Sequence, residues 1–171
     1  MILCRSEHPI EQSVRDKIAL FCNVRPDHVI EGRDVPSIYE VPLSMHEQNA
    51  GLLINERLKI NKVPKLKKLK NFIQSYKNPK NEVTIAMCGK YTELIDSYKS
   101  VMESFVHAGV ENNARVSIKW VKTEKIKSKA SAQKEFRGVD GILLLPGFGY
   151  RGAEGKIKSS KYAREAKVPF L

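Results

Sequence analysis

Apolar residues recur along the chain at two different spacings, which predict alternating strands and helices. In the first segment, Met1–Cys4 is a short apolar run typical of a strand. Glu11–Cys22 carries apolar residues at four- and three-residue steps, the spacing of a helix that is packed on one side. Ile38-Tyr39 then predicts a short strand. Ser44 and Glu47 match a capping-box pattern, which predicts a helix that begins near Met45.

The pattern in the second segment is more regular. Val83–Cys88 is a continuous apolar run, typical of a buried strand. A helix follows, which Asp96 or Ser97 can cap, and Gly109 stands at its predicted C-terminal end. Val116–Val121 predicts the next strand.

A glycine-rich loop separates the last predicted elements. Gly141–Leu145 is an unbroken apolar run of the kind that a parallel sheet buries on both faces. A helix is predicted from about Gly155 to Lys167, and Val168–Leu171 opens a further strand. The alternation of strands and helices predicts an α/β fold of doubly wound parallel sheets, whose ligands lie beyond the carboxyl ends of the strands.

Length and composition fit a globular protein. The chain has 171 residues, 42% of them apolar, which suffices for one ordinary domain or two partial ones. No run approaches the ~20 apolar residues of a membrane helix, and the N-terminus lacks the pattern of a secretory signal. We therefore expect a cytoplasmic location and no membrane partner.

The cysteines and histidines show no pattern that binds metal. Cys4, Cys22 and Cys88 are odd in number and widely spaced, without a C-x-x-C pair, which disfavours a disulfide framework and a zinc site. The four histidines likewise lack ligand spacing. We interpret the cysteines as small core residues and expect no metal ligands in this chain.

The net charge of +11 is concentrated in one segment. Residues 57–80 contain nine Lys or Arg and no Asp or Glu. One hypothesis is a basic module that binds nucleic acid. The same segment places Leu66, Leu69, Phe72, Ile73 and Tyr76 on one helical stripe with lysines opposite, and this favours a solvated helix face over a nucleic-acid site.

The loop Gly147–Gly152 matches the G-x-G-x-x-G pattern between a strand and a helix. One hypothesis is a stand-alone Rossmann-type nucleotide-binding protein, although the loop follows a late strand and Pro146 precedes it. A plain turn is a second interpretation. The third is a backbone-lined loop that binds an anion or oxyanion, to which Arg151 and Lys156 add charge. Lys90 lies at another strand end and is a candidate contact for phosphate or carboxylate.

Seven strings, in chain order, resemble the CTP synthase family. The resemblance covers nearly the whole chain and is weakest in the lysine-rich segment and in residues 122–138. It implies an internal fragment: 1–58 from the end of the synthetase (amidoligase) domain, 59–82 a basic linker, and 83–171 the N-terminal half of a flavodoxin-like class I glutamine amidotransferase domain. The strings are Cys4–Ser6, Lys17–Cys22, Asp34–Tyr39, Gly89–Tyr91, Asp96–Val101, Phe148–Lys156 and Tyr162–Glu165.

The resemblance implies an ATP-dependent ligase of pyrimidine nucleotide synthesis. In the complete enzyme, ATP and Mg²⁺ phosphorylate UTP, and ammonia released from glutamine displaces the phosphate to give CTP. GTP activates the coupling, and a homotetramer is expected. The nucleophilic cysteine is expected after Leu171, so the resemblance implies no catalytic residue in this chain and no activity of the chain alone.

The resemblance also assigns ligand-binding residues. Lys17 corresponds to a UTP or CTP contact, and Arg33, Asp34 and Val35 correspond to an ATP contact. Gly147 corresponds to the glutamine-binding glycine. Lys99, Arg151 and Glu154 correspond to a lid that responds to GTP.

One departure from the family concerns the glycine loop. The family usually reads Pro-Gly-Gly-Phe-Gly where this chain reads Leu145-Pro146-Gly147-Phe148-Gly149. If Pro146 takes the first glycine's place, an N–H donor to the oxyanion is lost. An inserted leucine and a lost glycine would instead preserve the proline turn, and the sequence leaves both alternatives open.

Overall fold

The computed structural model describes residues 1–147 and 149–171, so that Phe148 lies outside the described residues. The chain divides into two compact units, Met1–Ile73 and Gln74–Leu171. Within the described ranges, no helix combines the length and apolar character needed to cross a membrane.

The first unit is built on a pair of parallel strands. β1 and β2 pair from Ile2 opposite Val29 to Ser6 opposite Arg33. Its core includes the fully buried Val29 and Ile30 of β2. The elements are β1 (Ile2–Ser6), α1 (Gln12–Phe21), β2 (Val29–Arg33), α2 (Val41–Glu47) and α3 (Ala50–Leu58), and α4 (Lys67–Lys77) begins in this unit and ends in the second.

The strand predicted at Ile38-Tyr39 is wrong. Ile38–Glu40 form a 3₁₀ turn, in which the Ser37 side chain accepts a hydrogen bond from the backbone N–H of Tyr39. The strand of this region is the preceding β2. The sequence pattern did not predict β2, because Gly32 and charged residues interrupt its apolar run.

The capping box predicted at Ser44 is also wrong. Ser44 lies inside α2, which begins three residues earlier with Pro42 in its first turn. Proline is favoured there because its φ is already helical and the missing N–H has no helical partner. After α2, the Gln48 side chain bonds both the backbone N–H and the carbonyl of Glu31 at 2.8 Å, which ties the helix to β2.

The second unit contains a three-stranded parallel sheet in the order β4-β3-β5. Both faces of the central strand are buried, since Ala86 and Cys88 pack on one side and Met87 on the other. The predicted α/β fold with parallel sheets is confirmed. The elements are β3 (Asn81–Gly89), α5 (Lys99–Glu111), β4 (Ala114–Lys122), α6 (Lys129–Glu135), β5 (Gly141–Leu144) and α7 (Ala153–Ala166).

The predicted ends of α5 are wrong. A 3₁₀ turn over Ile95–Tyr98 precedes the helix, and no side chain caps it. Gly109 lies within the helix, where an added Cβ would stand 2.5 Å from the carbonyl oxygen of Ala114. This glycine therefore permits the helix to approach β4 closely and does not terminate the helix. Asn113, with φ of 51°, makes the turn instead.

The interpretation of the cysteines as core residues holds for one of them. Cys88 is fully buried and Cys4 is half-buried, but Cys22 is exposed. Cys22 follows the last turn of α1, where Leu20 and Phe21 are 77% and 86% exposed. The last apolar residues of α1 are therefore not buried by the other elements of the first unit.

α7 packs against the turn that follows β4 with no space for side chains at two glycines. An added Cβ at Gly155 would overlap the carbonyl oxygen of Thr123, and one at Gly152 would overlap its Oγ1. Thr123 itself is fully buried. Both positions therefore require glycine, since real Cβ atoms essentially never lie within 3.0 Å of another heavy atom.

We expect Gly155→Ala to destabilise the second unit by about 1–3 kcal/mol, because the new methyl group must displace either α7 or the Thr123 backbone. Urea unfolding followed by circular dichroism measures the change. Gly51→Ala is the matched control: it lies within α3, where its Cβ would meet only Pro64 at 3.6 Å, and we expect a gain of up to about 1 kcal/mol. Equal stability of the two variants would contradict the close approach.

Candidate functional site

The carboxyl ends of three parallel strands meet at one edge of the second unit. Lys90 follows β3, Thr123 follows β4, and Leu145 leads from β5 into the glycine-rich loop. The chain leaves β3 toward β4 on one side and later returns to β5 on the other. Ligands of doubly wound sheets bind at such a reversal of strand order, which here falls between β3 and β5.

The glycine loop lies against Lys90 at this crevice. An added Cβ at Gly147 would stand 3.0 Å from Cε of Lys90, and Gly149 adopts a φ of 84°. On the other side, Nζ of Lys156 donates a hydrogen bond to the carbonyl oxygen of Leu145 at 2.7 Å. The ammonium groups of Lys90 and Lys156 therefore both lie beside the first half of the predicted anion loop.

Arg151 connects the loop to two of the strand ends. Its Nη2 donates to the carbonyl oxygen of Lys90 at 3.2 Å, and its Nε lies 3.2 Å from Oε1 of Glu124. The guanidinium carbon also lies 5.5 Å from the centroid of the Tyr91 ring. The groups are largely exposed, so the loop is held by several weak contacts.

Lys99 and Glu154, the other two residues of the predicted lid, form ion pairs within their own helices and not with Arg151. Lys99, the first residue of α5, forms an ion pair with Glu103 at 3.2 Å. Glu154, in the first turn of α7, pairs with Lys158 at 3.7 Å. Their assignment to a lid remains a prediction.

In the first unit, the predicted ATP contacts line a groove of about 550 Å³. Arg33, Asp34 and Val35 lie at the carboxyl end of β2, and the Asp34 carboxylate is 3.2 Å from Nε of Arg5. The three candidate ATP contacts therefore lie together in one groove. Lys17, the candidate UTP contact, is exposed on α1 and is not among the described residues that line it.

Cys88 is the cysteine of the second unit, and its environment suppresses nucleophilic chemistry. Burial, with a smaller contribution from the Glu135 carboxylate, raises the pKa of its thiol to about 12. Its Sγ also faces the backbone carbonyl of Ala86 at 3.7 Å. A thiol of this pKa is almost entirely protonated at neutral pH, and the thiolate is the reactive form.

Among the described residues, no group of three or more His, Cys, Asp and Glu side chains is arranged to hold a metal ion. No cluster of this size is therefore available for a metal in the part of the chain that the structure describes.

Sequence reasoning missed Thr123 and Glu124. Both follow β4, in a stretch that showed no recognisable pattern, and α6 within that stretch was not predicted. The available signal was Ser128, which caps α6 and exchanges hydrogen bonds with Ser131. A serine three residues beyond a serine is a weak version of the capping box.

We expect the three thiols to react with iodoacetamide at very different rates in the folded chain. Exposed Cys22 should react first, half-buried Cys4 more slowly, and Cys88 only on unfolding, because its thiolate is both buried and scarce. Mass spectrometry of peptides after timed labelling measures the order, and labelling in denaturant is the control. Rapid labelling of Cys88 at neutral pH would contradict the assignment.

Comparisons with known proteins match both parts of the chain. A family model described as CTP synthase N-terminus matches residues 1–60, and one described as glutamine amidotransferase class-I matches residues 93–171. The second match agrees with the sheet order β4-β3-β5, which is the 2-1-3 order of a flavodoxin-like domain.

Relatives match over the whole chain. A CTP synthase of Methanocaldococcus jannaschii is 43% identical over 177 residues, and one of Caldanaerobacter subterraneus is 46% identical over 172 residues. Each match covers 100% of this chain but 33% and 32% of the relative. A solved structure, the glutaminase domain of Trypanosoma brucei CTPS with bound acivicin, is 35% identical, with a TM-score of 0.47 over 52% of this chain and 34% of that one.

The chain thus spans about a third of the length of the relatives that it matches. The matches favour a relation to CTP synthases over the two alternatives, a stand-alone Rossmann-type nucleotide-binding protein and a basic nucleic-acid-binding module. Both family models and the similarity over the whole chain identify CTP synthases as the proteins that this chain resembles.

Proposed function

We propose that the protein acts in the synthesis of CTP from UTP, ATP and ammonia derived from glutamine. The observation that carries the proposal is the identity of 43–46% to CTP synthases across all 171 residues, in both units. In that reaction, ATP converts the 4-oxygen of UTP into a phosphate, and ammonia then displaces it. Enclosing the ammonia prevents its loss to water.

For the glutamine half of the reaction, we propose that Gly147 lines the substrate site. It lies at the reversal of strand order between β3 and β5, where doubly wound sheets bind ligands. Lys90 and Lys156 on either side favour a negatively charged group. A glycine also lets a backbone N–H approach the substrate without a side chain in between.

The nucleophile of glutamine hydrolysis belongs, in this proposal, to a cysteine other than Cys4, Cys22 and Cys88. The raised pKa and complete burial of Cys88 support that conclusion. We likewise propose that the phosphate-binding loop for ATP belongs to other residues of the complete enzyme. The chain alone would then catalyse neither half-reaction.

For the synthetase half, we propose that Arg33, Asp34 and Val35 contact ATP and that Lys17 contacts UTP or the product CTP. The groove of about 550 Å³ at the carboxyl end of β2 supports the first assignment, since its volume suits a small ligand. An exposed lysine suits a triphosphate, which supports the second. Mg²⁺ would be held by other residues of the complete enzyme.

Control by GTP and assembly complete the proposal. Arg151, Lys99 and Glu154 would form the lid that responds to GTP, and the contacts of Arg151 with Lys90 and Glu124 support a place for this residue at the strand ends. We further propose a homotetramer and a cytoplasmic location for the complete enzyme.

A chimera tests the function. The matching stretch of the Caldanaerobacter subterraneus relative is replaced by these 171 residues, and CTP formation is followed with glutamine and, separately, with ammonia as the nitrogen source. We expect activity with both, because each unit supplies its ligand contacts to a complete framework. A folded chimera that is inactive with ammonia would contradict the proposed function. Activity with ammonia alone would locate a defect in the glutamine half, the result expected if Pro146 removes an oxyanion donor, since losing one such donor costs ~10²–10³ in rate.

Within an active chimera, Gly147→Ala should lower kcat/KM for glutamine by about 10–100-fold, because its methyl group competes for space with Lys90 and moves the loop. The rate with ammonia should not change. Gly51→Ala, in α3, is the control with the same chemical change. An equal loss with both nitrogen sources would assign Gly147 a structural role only.

A further inference from the structure

A second concave surface lies beside the glycine loop, on the β3–β4 side of the same sheet edge. It has a volume of about 780 Å³, within the range of small-ligand sites. The strand ends of β3 and β4 form its floor and α6 forms one wall. We call it the β4 groove, and it is lined by Lys90, Glu93, Lys122, Glu124, Lys125, Lys127, Ser131, Lys134, Glu135 and Arg151.

The charges of the β4 groove do not cancel. Six of the lining residues are Lys or Arg and three are Glu. Two of the carboxylates are already paired with cations of the groove itself: Glu93 with Lys122, and Glu124 with Arg151. The third, Glu135, is half-buried near Cys88. An anion in the groove would therefore meet an excess of positive charge.

Three of the cations remain available to a ligand. Lys125, Lys127 and Lys134 have no side-chain ion pair with any described residue. They approach from two elements, the turn after β4 and α6. Flexible ammonium groups on several sides suit an anion that carries several charges, such as linked phosphates, better than a single carboxylate.

The lining also indicates what the groove does not recognise. None of its described lining residues is aromatic, so the lining itself offers no ring on which a nucleobase stacks. The hydroxyl of Ser131 is used by α6, where it accepts hydrogen bonds from the backbone N–H groups of Lys127 and Ser128. Recognition would therefore act through charge on phosphate groups and not through a base.

We propose that the β4 groove binds a polyphosphate group, free or attached to a small molecule, without selecting the attached base. This site goes beyond the proposed function because it depends on Lys125, Lys127 and Lys134, on the β4 side of β3, although it shares Lys90 with the glutamine crevice and Arg151 with the proposed lid. Arg151 touches both places, so an anion that competes with Glu124 for this arginine changes the contacts of the glycine loop.

Titration of the 171-residue chain with inorganic triphosphate, by calorimetry at about 50 mM salt, tests the proposal, because exposed ion pairs are screened at higher salt. We expect saturable binding that Lys125→Gln, Lys127→Gln and Lys134→Gln together weaken by about tenfold or more. The matched control changes three exposed lysines of the basic segment, Lys65→Gln, Lys68→Gln and Lys70→Gln, which alters the net charge equally. Circular dichroism confirms that both variants remain folded.

The outcomes separate specific binding from general attraction to a basic protein. Weakening by the groove variant alone, with ATP and GTP binding like inorganic triphosphate, supports the proposal. Equal weakening by both variants, or no binding at this salt concentration, overturns it. A marked preference for one base overturns the claim that only phosphate is read. Preferential binding of duplex DNA that depends on the basic segment would assign the excess charge to nucleic acid instead.

Discussion

The packing of α7 on the turn after β4 determines the geometry of the second unit's functional edge. Gly152 and Gly155 bring the helix backbone against Thr123, where no Cβ fits. The first turn of α7 is therefore fixed relative to β4, and the loop that precedes it must cross toward β3. Lys90, Gly147 and Arg151 come together as a result, although 61 residues separate Lys90 from Arg151.

The central strand β3 explains why the chemistry lies at an edge. Both of its faces are buried under helices, so polar side chains have access to solvent only at the strand ends. All three strands run parallel, and their carboxyl ends therefore share one edge. The same edge holds the glycine loop on one side of β3 and the basic β4 groove on the other.

The elements that were predicted well are those with long, unbroken patterns. β3, β4, β5 and α7 were found within a few residues of their observed bounds, because continuous apolar runs and helical spacing are properties of the local sequence. Cap and turn signals were less dependable. Ser44 has the local pattern of a cap, but Pro42 begins the helix earlier, and Gly109 has the pattern of a helix end although it serves a tertiary contact.

The sequence by itself predicted the α/β class, the parallel sheets and the resemblance to CTP synthases, and it supplied the candidate residues, because these follow from spacing and from strings that resemble the family. The tertiary structure alone decided which candidates lie together: Arg151 joins Lys90 and Glu124, whereas Lys99 and Glu154 pair within their own helices. It also decided that Cys88 is an inert core residue and that Cys22 is exposed. The physical reason is that burial, pKa and ion pairing depend on neighbours that are distant in the chain, and no local pattern records them.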